Sequence, residues 1–406
     1  MSIRWITPLL GTAPALEVLG HANDVEVIDV RDLVDKEGNR SETVRQKIEQ
    51  GIASLRLEKK TIVCCDYGIS RSNSVAAGIL ALYEGINFEQ AVRKVQKATG
   101  EREIKLEPLE AVRQALGGAT EKASCTDSRR RIMVTGSSGF IGRALLPELQ
   151  DEFHVVAPTR SEIDLESGST QLGLLAAEQN VDCIVHLANP RVYTSNKAFG
   201  VTMSMLRNVI DVCLSRNIRL VYLSSWEVYS AYRGEIIADE SVPLHAKGPY
   251  GDAKYLAEKL LEQNVRASGL RCTILRSGPV YGVGSDKPKF IYNFIEKARA
   301  GEQISTHRYS NGKPALDLMH VDDLVQAIAK TVRKDIVGDF NLGTGILTET
   351  YEIAAHLVTL IGSSSKISSV LVDSFVASVA MDYEKALTQL GWTPTISLES
   401  GLESLI

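Results

Sequence analysis

The 406-residue sequence has no excess of positive charge, few cysteines and no long apolar segment. Its formal net charge of -5 lacks the basic excess that binding to a phosphate backbone requires, so we expect no nucleic-acid partner. Its six cysteines are too few for a disulfide framework in so long a chain, and no apolar run approaches the roughly 20 residues of a membrane span. These absences argue against a disulfide-rich secreted scaffold and a membrane-spanning protein, and they favour a cytoplasmic one.

The length of the chain predicts two domains, because 406 residues exceed what one hydrophobic core usually organises. Small polar residues, glycines and an arginine run occupy residues 117–131, GGATEKASCTDSRRR, between two patterned regions. We therefore predict a first domain at residues 1–117, a linker at 118–129 and a second domain at 130–406.

Both regions have the pattern of α/β domains. Before the linker, strands are predicted at VEVIDV and TIVCC, and helices at residues 41–60 and from residue 72 onward. After it come short strands of the buried type, with helical segments between most of them: RIMVTG, FHVVAPT, CIVHLA, LVYLSS and RCTILRS. This alternation predicts a doubly wound parallel sheet of the Rossmann kind.

The stretch TIVCCDYGISRSNS, residues 61–74, ends a buried strand at Cys65 and runs through a short loop into a helix. Loop amides and helix-start N–H groups can bind a phosphate, and the same field favours a thiolate, the nucleophilic form of cysteine. Arg71 would supply a planar fork for two phosphate oxygens, and Ser72 a hydrogen bond to the sulfur. Two alternatives stay open: a buried structural thiol beside a surface arginine, and a loop that binds phosphate without turnover.

With Gly68 inside the loop and an apolar helix after it, residues 3–117 resemble the dual-specificity branch of the cysteine-dependent protein tyrosine phosphatases. The resemblance implies a phosphatase-like α/β fold, a phosphorylated substrate, Cys65 as nucleophile and Arg71 as phosphate clamp.

That family also uses an aspartic acid about 30 residues upstream to protonate the leaving oxygen. Asp32 and Asp35 both satisfy this spacing; we favour Asp35, which lies further from the strand end. The family's histidine before the nucleophile is replaced here by Cys64, a departure that keeps the binding-only alternative open.

The second region opens with RIMVTGSSGFIGRALL, in which glycines follow a strand and begin a helix. Such glycines permit a tight turn, close approach of a pyrophosphate and close helix-to-sheet packing, which predicts a dinucleotide site. We expect the cofactor to contact this turn and the end of the strand CIVHLA: Gly136, Ser138, Gly139, Phe140, Ile141, Gly142, Leu187 and Ala188.

The end of the next strand bears on the choice of cofactor. NAD enzymes commonly place an acid there to hold the ribose hydroxyls, whereas this chain has Thr159, Arg160 and Ser161. An arginine suits a 2′-phosphate, so we predict NADP, with NAD as the alternative if Arg160 is simply solvated. Asp164 is predicted either to contact the adenine or to cap a helix.

Two stretches carry residues suited to proton transfer. In PYGDAKYLAEK, Tyr250 and Lys254 are four positions apart on a predicted helix, so the ammonium can lower the pKa of the phenol and also bind ribose hydroxyls. In LVYLSSWEVYS, Ser225 lies at a strand end, where its hydroxyl can bond a substrate oxygen. Together they can move a proton while hydride passes between a sugar carbon and a nicotinamide.

On VTGSSGFIG, SSWEVY and the 25-position interval from Ser225 to Tyr250, residues 130–406 resemble the extended short-chain dehydrogenases/reductases that act on nucleotide sugars. The resemblance continues through RSGPVYG, LMHVDDLVQAI and FNLGTG, and it implies a nucleotide-sugar substrate, a small substrate-binding subdomain and a role in surface polysaccharide assembly. Glu227 stands where dehydratases and decarboxylases of this group often have a glutamate. Trp226 replaces a small or acidic residue of the 4,6-dehydratases, so epimerase, dehydratase and 4-keto reductase all stay open.

The sequence thus predicts a bifunctional enzyme without a metal, in which a phosphatase-like domain is fused to an NADP-dependent nucleotide-sugar epimerase, dehydratase or reductase. A regulatory alternative has a phosphate-binding module in the first domain or a nucleotide sensor in the second. The oligomeric state is not predicted, and a homodimer is one option.

Overall fold

The computed structural model describes residues 3–18, 25–117, 128–190, 192–285 and 289–406. The chain divides into two units: Met1–Ser128 with Ile163–Asn180, and Arg129–Glu162 with Val181–Ile406. Most of the predicted linker, residues 118–127, lies outside the described residues. None of the helices in the described ranges is long and apolar enough to cross a membrane.

The first unit contains a four-stranded sheet in the order β1-β2-β4-β3, with β2 and β3 parallel to β4 and β1 antiparallel to β2. Its strands are β1 (Arg4–Trp5), β2 (Leu10–Pro14), β3 (Glu26–Asp29) and β4 (Thr61–Cys65). The part of this unit that precedes residue 129 contains the helices α1 (Ala15–Val18), α2 (Ser41–Arg56), α3 (Arg71–Glu84), α4 (Phe88–Thr99) and α5 (Leu106–Ala115).

All five residues of the inner strand β4 are buried, as the apolar, β-branched pattern of TIVCC predicts for a strand paired on both sides. The helix predicted for residues 41–60 ends earlier, at Arg56. Glu58 then adopts a left-handed backbone with φ of 57°, which turns the chain toward β4.

The remaining strands are β5 (Arg131–Thr135), β6 (His154–Val156), β7 (Cys183–His186), β8 (Arg219–Ser225), β9 (Gly234–Ala238), β10 (Cys272–Ser277), β11 (Val280–Tyr281), β12 (Ile304–Tyr309), β13 (Ala315–Leu316), β14 (Met319–His320), β15 (Gly338–Leu342), β16 (Thr348–Glu349), β17 (Ile367–Val372) and β18 (Ala377–Met381). The remaining helices are α6 (Phe140–Gln150), α7 (Thr170–Glu178), α8 (Asn196–Arg216), α9 (Gly248–Ser268), α10 (Lys289–Ala300), α11 (Val321–Lys334), α12 (Thr350–Ile361) and α13 (Leu398–Glu403).

Six of these strands form one parallel sheet in the order β15-β10-β8-β7-β5-β6. The chain passes from β5 to β6 on one side and then returns to β7 on the other side of β5. Because strand order reverses at β5, the loop after this strand opens onto the crevice where such sheets bind ligands. The prediction of a doubly wound Rossmann-type sheet is confirmed.

The second unit also contains smaller, two-stranded sheets. Strand β9 pairs with β18, β12 with β17, and β13 with β16. A separate core around Ile291, Ile304 and Leu357 holds α10, β12 and α12 together. The substrate-binding role that the sequence resemblance implies for a small subdomain stays a prediction.

Helix α7 lies between β6 and β7 in the sequence but packs within the first unit. The Thr170 hydroxyl accepts from the N–H of Ile104 at 2.9 Å and donates to its carbonyl at 2.8 Å. The Glu103 carboxylate accepts from the N–H groups of Ser169 and Thr170, where the helix begins. These bonds join segments 66 residues apart, so a fragment ending at residue 117 lacks part of the first unit.

Candidate functional site

The turn after β5 has the geometry that the glycine pattern predicts. Gly136 has φ of 75°, and a Cβ there would lie 2.6 Å from the backbone nitrogen of Ala188. A side chain at Gly142 would collide with the carbonyl of Gly136, and Gly139 directly precedes α6. The helix start is therefore held against a bare backbone turn, with Leu187 and Ala188 beside it, as a pyrophosphate cradle requires.

The loop after β6 is closed by an acid that the sequence analysis did not single out. The Glu162 carboxylate accepts from the N–H of Thr159 at 2.7 Å and from its hydroxyl at 2.8 Å, and these bonds hold its pKa below the usual range. The Thr159 hydroxyl also bonds Ser161 at 3.0 Å, whereas Arg160 is exposed. Glu162 is thus engaged within its own loop, and the side chain of Arg160 is exposed.

Asp164 follows this loop and bonds a turn rather than a helix. Its carboxylate accepts from the N–H of Glu166 at 3.3 Å, and its carbonyl accepts from the N–H and the hydroxyl of Ser167. Helix α7 begins six residues later, at Thr170. The helix-cap interpretation of Asp164 is wrong, while its contact with adenine stays a prediction.

Ser225, Tyr250 and Lys254 meet at the carboxyl end of β8. Ser225 is the last residue of that strand, and its hydroxyl lies near the phenol of Tyr250 from α9, where it favours the ionised form of that phenol. One turn later on α9, the Lys254 ammonium donates to the carbonyl of Leu223 at 2.7 Å and to the phenol of Tyr222 at 3.2 Å. The fold thus assembles the three residues that the sequence singled out.

The electrostatics of Tyr250 differ from the sequence expectation. Its pKa is raised, chiefly by burial and next by the charge of Glu227, while the Ser225 hydroxyl opposes the shift. Burial lowers the pKa of Lys254 to about 8, against the opposing charge of Glu258. Lys254 Nζ lies 5.8 Å from the centroid of the Tyr250 ring, and no lowering of the phenol's pKa results in this arrangement.

Glu227 is the second ionisable group beside Tyr250. It lies in the short helical turn after β8, where its N–H donates to the Ser225 hydroxyl at 3.2 Å. Burial raises the pKa of its carboxyl to about 7. A carboxyl with this pKa can both accept and return a proton near neutral pH.

A buried ion pair lies beneath these residues, and the sequence analysis did not identify it. The Glu258 carboxylate accepts from the Ser224 hydroxyl at 2.5 Å and from Arg276 Nη2 at 2.8 Å. Arg276 also donates to the Tyr229 phenol at 3.1 Å. Glu258 is four positions after Lys254 on α9, and this i, i+4 spacing is the signal that could have identified it.

A cleft of about 310 Å³ opens between α10, β12 and α12. Its walls combine the apolar Phe290, Phe294 and Pro314 with seven polar or charged side chains: Asn293, Lys297, Ser305, Thr306, His307, Tyr309 and Thr350. The neighbouring segment PALDLMHVDD contains no arginine.

In the first unit, Cys65 ends β4 at the mouth of the predicted anion loop. Its sulfur accepts from the N–H of Gly68 at 3.2 Å and is hydrogen-bonded to the Ser72 hydroxyl at 3.4 Å. Gly68 has φ of 68°, and a Cβ there would lie 2.6 Å from the backbone of Ala13, so the loop folds tightly over β2. Burial raises the pKa of the neighbouring Cys64 to about 11, which keeps that thiol protonated.

Arg71 faces both the loop and the aspartates upstream of it. Its Nη1 donates to the carbonyl of Leu33 at 2.9 Å, its Nη2 donates to the Asp66 carboxylate at 2.5 Å, and its Nε lies 3.5 Å from Asp35. Asp32 instead pairs with Lys47 at 3.1 Å. The geometry therefore favours Asp35 over Asp32 as the acid near the loop, and it shows that Asp66 occupies one arm of the clamp.

Buried polar groups near this loop have no protein partner among the described residues. Both side-chain atoms of Asn73, next to Ser72, and the hydroxyl of Thr12 on β2 are buried without a hydrogen bond. Unsatisfied buried groups are costly, and they are typical of sites that accept a polar ligand or water. No cluster of His, Cys, Asp and Glu within the described ranges has the arrangement of a metal site.

Comparisons with known proteins identify relatives that match about two thirds of this chain. UDP-glucuronic acid decarboxylase 1 of Xenopus tropicalis is 24% identical over 303 residues, which cover 68% of this chain and 72% of that protein. UDP-glucuronic acid decarboxylase 6 of Arabidopsis thaliana is 26% identical over 306 residues, covering 68% of this chain and 87% of that protein. The NAD complex of UDP-glucose 4-epimerase from Thermus thermophilus has the same fold, with a TM-score of 0.59 and 21% identity over 67% of this chain and 96% of that one.

The family model described as the NAD dependent epimerase/dehydratase family matches residues 132–343. The match covers more than half of the 406 residues. It includes the glycine turn, the end of β8 and the pair on α9. The chain therefore belongs to the NAD dependent epimerase/dehydratase family.

Proposed function

We propose that the second unit transforms the sugar of a nucleotide sugar by transient oxidation, using NADP in preference to NAD. The observation that carries the proposal is the convergence of the Ser225 hydroxyl, the Tyr250 phenol and the Glu227 carboxyl at the end of β8. The proteins named above are two UDP-glucuronic acid decarboxylases and a UDP-glucose 4-epimerase, which supports this class of substrate.

Each residue has a distinct task in this scheme. Ser225 donates to the sugar hydroxyl that is oxidised, and Tyr250 removes and later returns its proton. Burial raises the pKa of Tyr250, so the phenolate that removes the proton needs a positive charge to stabilise it. We assign this role to the Lys254 ammonium. A bound nicotinamide supplies the acceptor and donor of hydride.

We assign Glu227 to proton transfer at the carbon next to the transient ketone. A ketone makes the adjacent C–H bond acidic, and a carboxyl whose pKa is about 7 is suited to accept such a proton. This assignment favours dehydration, or epimerisation next to the ketone, over a simple hydride exchange at one carbon.

Turnover in D₂O tests the role of Glu227. UDP-glucose, UDP-glucuronic acid and dTDP-glucose are incubated with the full chain and NADP or NAD, and the products are analysed by mass spectrometry and NMR. We expect wild type to introduce deuterium at the carbon next to the oxidised one, Glu227→Gln to lose this exchange, and Tyr250→Phe to lose oxidation as well. Exchange that persists in Glu227→Gln contradicts the assignment, and a chain that binds cofactor but turns over none of these sugars contradicts the proposed activity.

The preference for NADP rests on Arg160. Its exposed guanidinium can bind a 2′-phosphate, whereas the Glu162 carboxylate is already engaged by Thr159. Fluorescence titration with NADPH and NADH should show that Arg160→Ala lowers the affinity ratio about tenfold or more, as expected for a lost charged contact. The exposed Arg308→Ala on β12 is the matched control, and an unchanged ratio in Arg160→Ala contradicts the preference.

We further propose that the cleft beside α10 holds the nucleotide of the substrate. The rings of Phe290 and Phe294 offer apolar faces to a base, and Lys297 offers a positive charge. Binding of UDP to the full chain, measured by calorimetry, should weaken in Lys297→Ala. If the variant and wild type bind UDP with equal affinity, the nucleotide binds elsewhere.

A second candidate function belongs to the first unit, where we propose phosphoryl transfer at Cys65. The observations that favour it are the Gly68 N–H and Ser72 hydroxyl at the sulfur, with Arg71 and Asp35 close by. The sulfur attacks phosphorus, the leaving oxygen takes a proton from Asp35, and water then releases phosphate from the cysteine. The alternative remains a loop that binds phosphate without turnover.

The full chain is the proper test object, because α7 completes the first unit. Hydrolysis of p-nitrophenyl phosphate should be lost in Cys65→Ser and retained in Tyr250→Phe, which changes the other unit only. With an alkyl phosphate, whose leaving group needs protonation, Asp35→Asn should slow hydrolysis far more than Asp32→Asn. Phosphate binding that depends on Arg71, without hydrolysis of any phosphate ester, would support the binding-only alternative.

A further inference from the structure

A second tyrosine packs directly against Tyr250. Tyr193 lies in the segment between β7 and α8, three positions before the helix begins at Asn196. The centroids of the two rings are 4.7 Å apart, and the ring planes are inclined at 54°. The rings belong to segments 57 positions apart, so this contact is made by the fold and not by local sequence.

The position of the pair bears on the reacting atoms. A substrate hydroxyl that bonds both Ser225 and the Tyr250 phenol must lie beside the Tyr250 ring, within about 3 Å of both oxygens. Tyr193 also acts electrostatically on the Tyr250 phenol. It therefore borders the place where the substrate reacts.

The ring contact with Tyr193 differs in kind from the other interactions of Tyr250. Ser225 and Glu227 act at the phenol end, and the Lys254 ammonium lies 5.8 Å from the ring centroid while it donates to Tyr222 and Leu223. Rotation of the side chain about the Cα–Cβ bond would displace the phenol oxygen, which lies at the far end of the ring. An aromatic neighbour at 4.7 Å restricts that rotation, since rings in contact prefer a narrow set of inclined geometries.

We propose that Tyr193 is a positioning residue, whose ring fixes the orientation of Tyr250 for proton transfer and forms one wall of the sugar subsite. The assignment rests on the proposed function only in taking Tyr250 as the proton-transfer group. The aromatic ring of Tyr193 is the essential part, and its hydroxyl is dispensable.

Two variants separate the ring from its hydroxyl. Tyr193→Phe keeps the ring, and Tyr193→Leu keeps apolar bulk without it. Tyr383→Leu is the matched control, because Tyr383 is also partly buried against another ring, that of Trp392 at 6.1 Å, outside the site. NADPH titration of each variant verifies that the cofactor site is intact.

The kinetic test uses the sugar nucleotide that wild type turns over. Tyr193→Leu should lower kcat about tenfold to a hundredfold, because small displacements of a catalytic group have effects of this size. In the same variant, KM should change less than kcat, and the pH profile of kcat should shift. The kcat and KM of Tyr193→Phe should lie within about twofold of wild type, because this variant keeps the ring contact. Wild-type kcat in Tyr193→Leu, or an equal loss in Tyr193→Phe, would overturn the assignment.

A second measurement needs no substrate. Nitration of the full chain by tetranitromethane, with peptide mass spectrometry, reports how accessible the Tyr250 ring is. We expect Tyr250 to react several times faster in Tyr193→Leu than in wild type, Tyr193→Phe or Tyr383→Leu. An unchanged rate at Tyr250 in Tyr193→Leu would refute the ring contact, whereas failure of the proposed function would leave this result standing.

Discussion

Replacing Glu227 with glutamine should stabilise the protein in alkaline but not in acidic solution. Burial raises the pKa of this carboxyl from 4.5 to about 7. A carboxyl whose pKa is raised on folding favours the folded state fully below about pH 4.5, and this contribution is lost as the pH rises through about 7. The difference corresponds to about 3 kcal/mol at pH 8, since each unit of pKa is worth about 1.4 kcal/mol. Glutamine keeps the size of the side chain and carries no charge.

The assay is urea unfolding of the full chain at pH 5 and pH 8, followed by tryptophan fluorescence. Glu227→Gln should move the unfolding midpoint upward by roughly 1 M at pH 8, for a slope of about 3 kcal/mol per M, and much less at pH 5. Glu235→Gln makes the same chemical change at an exposed position of β9 and should show no such pH dependence. Equal shifts at both pH values, or destabilisation at pH 8, would refute burial as the cause of the raised pKa. The variant that gains stability at pH 8 should also lose deuterium exchange, because a buried group retained for function often lowers the stability of the fold.

Two further changes test the fold around the sites. Thr170→Val should lower the unfolding free energy of the first unit by about 2 to 4 kcal/mol, because the N–H and C=O of Ile104 both lose their buried partner, and Thr170→Ser should recover most of it in denaturant unfolding. A valine variant as stable as wild type would show that these bonds contribute nothing. Gly136→Ala should weaken NADPH binding about tenfold or more in fluorescence titration, since its Cβ would strike the backbone after β7 at a strained φ. Gly234→Ala, also at positive φ but with open space around it, should bind NADPH as wild type does, and equal effects of the two would contradict the argument.

Local patterns in the sequence were sufficient for the features that depend on neighbouring residues. The glycine spacing located the turn after β5, and the four-residue spacing located Tyr250 and Lys254 on one face of α9. Backbone conformation and helix periodicity determine such features, and both are encoded within a few positions. The Rossmann-type sheet followed from the same kind of pattern.

Features that depend on distant contacts were not predicted. Nothing near residue 170 indicates that α7 packs against Glu103 and Ile104, because the bonds involve ordinary polar side chains with no periodic signal. The direction of the pKa shift of Tyr250 was predicted wrongly for a related reason. Spacing placed an ammonium nearby, but burial is the largest effect on this phenol, and burial depends on the whole fold.

The buried ion pair of Glu258 and Arg276 connects the elements that carry the site residues. Arg276 is 3% exposed, Glu258 is fully buried, and burying two charges is favourable only when their remaining hydrogen bonds are satisfied. Here Glu258 binds the Ser224 hydroxyl beside Ser225, and it lies one turn beyond Lys254 on α9. One carboxylate therefore connects the strand that carries the serine to the helix that carries the tyrosine and lysine, while Arg276 anchors it to β10. Because these bonds cross between separate elements, a displacement of α9 along β8 would leave the buried Glu258 carboxylate without its partners, whereas Arg276 would keep Asp339 at 3.2 Å, and this penalty opposes movement of Tyr250 relative to Ser225.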